Sequence, residues 1–149
     1  MTLKTWRVKA TAMAPTSETI FEGPGPDEVF SAGLAENEFR IQHCRACDAH
    51  VFYPRALCTS CGSPELAWVV ACGRGTVYAT SVVRQRPEQG ENYNIALVDL
   101  EEGPRMTTRV VDITPEDVKI GAAVTAFVGD IDGHQVVLFR PAGEGVSDA

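Results

Sequence analysis

Cys44-Arg45-Ala46-Cys47 and Cys58-Thr59-Ser60-Cys61 place two C-x2-C pairs on either side of ten residues, and this spacing narrows the fold further than anything else in the chain. Each two-residue spacer turns the backbone so that both sulfurs face one point. Two such turns bring four thiolates tetrahedrally around one ion. Gly62, directly after the second pair, supplies the backbone freedom that such a turn needs. Zinc is the expected occupant, and iron in a rubredoxin-like site uses the same ligands. With four thiolates bound, zinc keeps no open position for water or substrate, so the metal is expected to be structural. A dithiol redox role for C-x2-C needs a neighbouring βαβ pattern, which this sequence does not show.

Charge bears on the partners. Residues 1–74 carry seven basic and eight acidic side chains, and residues 75–149 carry six and twelve. The second half is therefore strongly acidic, the opposite of what a phosphate-backbone-binding surface requires. Nucleic acid is not an expected partner. No apolar run approaches the roughly 20 residues of a membrane span, and the opening residues lack the apolar core of a secretory signal. These features predict a cytoplasmic protein with no membrane partner. Five cysteines in such a protein point to metal or thiol chemistry before disulfides.

Residues 1–26 hold prolines and small polar residues without a sustained hydrophobic period and read as an irregular arm. From Asp27 to Arg40 the chain changes character: Val29, Phe30, Gly33, Leu34 and then Phe39 and Ile41 give an approximate helical spacing, with Asp27 as the expected N-cap. Helix and metal ribbon together occupy 27–65. From residue 66 to 141 the pattern becomes short strands: Leu66–Cys72, Thr76–Arg84, Asn94–Leu100, Met106–Val111, Ala123–Val128 and Gln135–Arg140. Asp132-Gly133 marks a tight hairpin between the last two. Thr114-Pro115 reads as a capped helical turn. This order predicts a mainly β chain, with an N-terminal helix and four-Cys ribbon followed by a small antiparallel OB-type barrel. A small sandwich is the alternative. Residues 142–149 are expected to be a flexible tail.

Other reactive side chains assemble into no site on sequence grounds. His43 and His50 flank the first pair and read as packing or surface residues, since four thiolates already suffice. Cys72, in an apolar run, reads as a buried inert thiol. His134 follows a turn with no nucleophile or orienting acid in view. Arg74, Arg84 and Arg86 cluster in sequence and are the candidates for holding the phosphates of coenzyme A, against the plainer reading of surface arginines. Phe52, Tyr53, Pro54 and Arg55 read as a small core over the metal or as an aromatic docking surface.

The order of motifs carries a resemblance. Phe39 to Cys47, Phe52-Tyr53-Pro54-Arg55, Cys58 to Ser63, Trp68, Gly73-Arg74-Gly75-Thr76-Val77-Tyr78 and Glu101-Glu102-Gly103-Pro104-Arg105 succeed one another. This pattern resembles the acyl-CoA-associated family that joins a rubredoxin-like zinc ribbon to an OB-fold, over about residues 27–141. The resemblance implies a non-catalytic accessory subunit that bridges thiolase-fold enzymes acting on acyl-CoA or in acyl transfer and helps line the CoA channel. It implies Cys44, Cys47, Cys58 and Cys61 as zinc ligands and gives no catalytic residue. Competing expectations are a free-standing CoA- or acyl-CoA-binding protein, a nucleic-acid-binding OB protein and an iron electron carrier.

Overall fold

A computed structural model describes residues 23–143. The expected arm therefore lies outside the described residues up to 22, and the expected tail from 144 onward.

Helix α1 runs over Pro26–Ala35, with Pro26 in its first turn. Its N-cap is Gly25, not Asp27, and no side chain caps it. Asp27 and Glu28 instead occupy the first turn, at the positive end of the dipole. The helix is shorter than its spacing suggests. Asn37 takes φ 61°, and the N–H groups of Asn37 and Glu38 bond back to the Leu34 and Gly33 carbonyls, closing a Schellman motif. Phe39 and Ile41, which share the helical spacing, consequently belong to the entry into strand β1, Arg40–Cys44.

Strand β1 lies between β2, His50–Val51, and β3, Leu66–Val70, all antiparallel. The first strand expected for the barrel thus pairs with the ribbon. The barrel comprises β4 (Arg74–Val83), β5 (Tyr93–Leu100), β6 (Arg105–Thr108), β7 (Ala123–Ile131) and β8 (His134–Pro141). Their order is β6-β5-β4-β7-β8, and a parallel bridge between Val110 and Phe139 brings the two ends of the sheet together. There Phe139 N–H donates to the Arg109 carbonyl at 3.0 Å and Val111 N–H to the Phe139 carbonyl at 2.8 Å. Closure of this kind removes exposed sheet edges and gives the OB-like barrel. Asp132 and Gly133 both take positive φ, 53° and 81°, as the expected hairpin turn requires. Pro115–Asp117 forms one 3-10 turn, with no hydrogen bond from the Thr114 side chain.

Helix, ribbon and barrel share one core. Leu34, Phe39 and Ile41 are buried with Val77, Val98, Met106, Val124 and Phe139. The close approach of β4 to β5 depends on Gly75, where a Cβ would stand 2.5 Å from Val98 Cγ1 and 3.0 Å from the Asp99 carbonyl oxygen. Gly75→Ala is therefore expected to destabilise the protein by about 2 kcal/mol, lowering Tm by roughly 6 °C in a thermal melt. An unchanged Tm would show that the strands separate freely there.

Candidate metal centre

The two cysteine turns are built alike. In the first, Asp48 N–H donates to the Cys44 carbonyl and Cys44 N–H to the Ala49 carbonyl; in the second, Gly62 N–H donates to Cys58 and Cys58 N–H to Ser63. Asp48 and Gly62 hold the same place in their turns and take the same left-handed conformation, φ 61° and 75°. Glycine signals this requirement at residue 62. At residue 48 it is met by aspartate, one of the few other residues that tolerate it.

The four Sγ atoms of Cys44, Cys47, Cys58 and Cys61 lie within 4.8 Å of one another. Cys44 and Cys61 are 3.6 Å apart, and Cys47 and Cys58 3.7 Å. Bonds of about 2.3 Å to a tetrahedral zinc require sulfurs about 3.8 Å apart, so the donor set fits the ion. Four adjacent thiols do not ionise equally without a cation. Backbone N–H groups of Cys61 and Ser60 draw Cys58 down to about 6. Cys47, despite a lowering hydrogen bond with the Ala49 backbone, is pushed up to about 12 by burial and its sulfur neighbours. A bound divalent cation supplies the charge that holds all four as thiolates.

Little else holds this end of the molecule. Cys44 and Cys58 are buried with Val51, and among the described residues Ala49 and Leu66 pack beside them. Phe52 does not cover the metal. It packs edge-on against Phe30 and Phe39, at 5.6 Å and 5.8 Å, and so joins the shared core of helix and barrel. Gln42, 3% exposed, bonds both backbone polar groups of Arg55 at 2.7 Å. Tyr53 reaches across to the barrel, its hydroxyl accepting the Thr107 N–H at 2.9 Å. Tyr53→Phe is expected to lower stability by about 1 kcal/mol and to loosen ribbon from barrel, read as faster amide exchange at Thr107. Unchanged exchange there would rule out this tie.

The His43 and His50 rings meet at a 45° tilt with centroids 4.9 Å apart, and His43 Nε2 lies 3.3 Å from an Asp48 carboxylate oxygen. Cys72 corrects an expectation: it is exposed, not buried, because the chain leaves β3 there to enter the barrel. Partial desolvation of its thiol by the neighbouring chain, with the Glu102 and Glu101 carboxylates, pushes its pKa up, which opposes thiolate formation. His134 is exposed at the β7–β8 hairpin.

The three arginines proposed for CoA phosphates do not converge. Arg74 opens β4 and pairs with Glu101, donating from Nη2 at 3.0 Å. Arg84 and Arg86 follow the far end of the same ten-residue strand, about 30 Å away at ordinary strand rise. Both are exposed and, among the described residues, form no ion pair. Adjacency in sequence becomes distance in space because the intervening chain is extended.

Two family models match adjoining stretches of the chain. The ChsH2 rubredoxin-like zinc ribbon domain matches residues 31–67, and the ChsH2 C-terminal OB-fold domain matches 68–128. A DUF35 domain-containing scaffold protein from Pyrococcus furiosus is 31% identical over 115 residues, covering 70% of this chain and 85% of that protein. The chain belongs to the ChsH2/DUF35 family. The zinc-ribbon match decides the metal, making this a structural zinc site in a mainly β protein of ribbon and OB-fold. A second DUF35 scaffold protein, from Methanocaldococcus jannaschii, is 40% identical over 87 residues, 56% of this chain and 62% of that protein. A "probable enoyl-CoA hydratase alpha subunit" from Thermomonospora curvata is 36% identical over 105 residues, 68% of this chain but 33% of that protein. Among solved structures, a chain of the "Ltp2-ChsH2(DUF35) aldolase" superposes with a TM-score of 0.69 at 30% identity, covering 82% of this chain and 98% of that one. No helix among the described residues is long and apolar enough to cross a membrane.

Proposed function

We propose that this chain is a non-catalytic, zinc-braced accessory subunit of a thiolase-fold enzyme complex. The complex makes or breaks C–C bonds, or transfers acyl groups, on acyl-CoA substrates, and the chain bridges its subunits and borders the CoA channel. The observation that carries this reading is the superposition over 98% of a chain from the "Ltp2-ChsH2(DUF35) aldolase". The relative named for an enoyl-CoA hydratase subunit supports the acyl-CoA setting. The metal supports it too, because four thiolates fill the zinc and assign it to holding shape. Arg84 and Arg86, exposed and without an acidic partner among the described residues, remain the positions proposed for CoA phosphates. Arg74 shares that proposal only by leaving Glu101.

The test separates chain from complex. The purified chain is expected to leave acetyl-CoA and acetoacetyl-CoA unchanged, while the complex co-purified with it acts on an acyl-CoA thioester. Turnover by the chain alone would make it an enzyme. Micromolar CoA binding by the isolated chain, lost in Arg84→Ala and Arg86→Ala, would favour a free-standing CoA-binding protein.

A further inference from the structure

Three arginines on the outside of the barrel stack on aromatic rings. Arg105 lies 3.3 Å from the centre of Tyr78, Arg140 3.9 Å from Phe127, and Arg109 3.8 Å from Tyr93. Two of them also hold a carboxylate of this chain. Arg105 grips both oxygens of Asp99, at 2.5 Å and 3.2 Å, and Arg140 Nε lies 3.7 Å from Asp112. Arg109 has no carboxylate within 4.0 Å among the described residues, although it is half-buried and its backbone is fixed in the barrel seam by Phe139.

Glu91 and Asp112 line a second cavity on one side of Arg109 without reaching ion-pair distance, and its other side is mostly apolar. Arg109 lines an open groove of about 310 Å³ at the seam between β6 and β8, with Tyr93, Ile95, Ile131, Val136 and Leu138. Ile95 is 42% exposed there, a β-branched side chain turned to solvent near the start of β5. Arginine over an aromatic ring within an aliphatic rim is the composition of an interface hot spot. A guanidinium left half-desolvated without an acid gains most from a carboxylate brought by another molecule.

We propose that this groove is the docking surface for the partner subunit, and that the partner inserts an Asp or Glu carboxylate onto Arg109 with aliphatic side chains on either side. The acid missing from the third arginine–aromatic unit is thus supplied in trans. The inference rests on the accessory-subunit reading and names the surface through which it operates.

The experiment uses the complex co-purified with the full chain. In Arg109→Lys, a water-soluble carbodiimide should join Nζ of residue 109 to a contacting carboxylate as an amide. Peptide mapping is expected to find an Asp or Glu of the partner at that link, which wild type lacks. Arg109→Glu should weaken assembly about thirty-fold or more, and Arg109→Gln should weaken it in the same direction. Arg140→Gln, whose acid lies in its own chain, should assemble as wild type. Retained zinc and an unchanged circular dichroism spectrum confirm that each variant is folded. A complex that forms normally with Arg109→Glu overturns the inference and leaves the accessory-subunit reading standing. So does a link to Glu144 or Asp148 of the chain itself, or to a second copy. Arg109-dependent binding of dodecanoate but not dodecanol by the isolated chain would make the groove a small-molecule site and overturn it equally. A chain that forms no complex overturns both.

Discussion

Cys58→Ala is expected to release the zinc, unfold the ribbon and abolish assembly with the partner. Cys58 is 4% exposed, and its Sγ is one corner of the tetrahedron. Among the described residues, the cluster around it holds Cys44, Val51, Ala49 and Leu66, far too little apolar surface to hold two strands and two turns in place. The ion therefore supplies the stability, on the order of 10 kcal/mol for a structural zinc, and loss of one thiolate forfeits most of it. Metal analysis should fall from one zinc per chain to near none, and excess chelator should do the same to the wild type. The barrel is expected to survive as a folded unit, because Val77, Val98, Val124 and Phe139 pack without the metal. Cys72→Ala is the control: its thiol lies outside the quartet, so zinc and assembly should be retained. Normal assembly by Cys58→Ala would refute a structural role for the metal.

Asn94→Ala is expected to destabilise the barrel by about 3 kcal/mol and lower Tm by roughly 10 °C. Asn94 is 3% exposed on β5 and carries out a strand's task with its side chain. Its Nδ2 donates to the Val110 carbonyl at 2.6 Å, and its Oδ1 accepts the Val110 N–H at 2.8 Å. Val110 is the residue whose bridge to Phe139 closes the sheet. Truncation leaves a buried donor and a buried acceptor unpaired at that closure, and each such group costs about 1–3 kcal/mol. Asn92→Ala, which removes only an exposed acceptor for Gln85 N–H, should shift Tm little. Equal melting of the two variants would show that the closure does not depend on Asn94.

The metal centre was legible because zinc dictates both ligand identity and spacing, and each cysteine turn is local in sequence. The Asp132-Gly133 hairpin was legible for the same reason: two residues that accept positive φ sit between β-rich runs. Contacts between distant segments left no such trace. Phe39 and Ile41 fell into helical register by coincidence, and the Schellman stop carried Asn37 where glycine would have signalled it. Phe52 lies beside the metal ligands in sequence, yet its ring turns toward Phe30 and Phe39 on the helix side of the molecule. Asn94 resembles any polar residue in a strand, and its partner is sixteen residues away. Arg109 carries no sequence signal, because what sets it apart from Arg105 and Arg140 is the acid that those two hold and it lacks among the described residues.

The most direct measurement is purification of the tagged chain from its native host, with mass spectrometry and metal analysis of the same eluate. A thiolase-fold subunit in fixed ratio to the chain, with one zinc per chain, is the expected result. A lone chain, or a red protein carrying redox-active iron in place of zinc, would contradict the account of a zinc-braced subunit that works by holding others together.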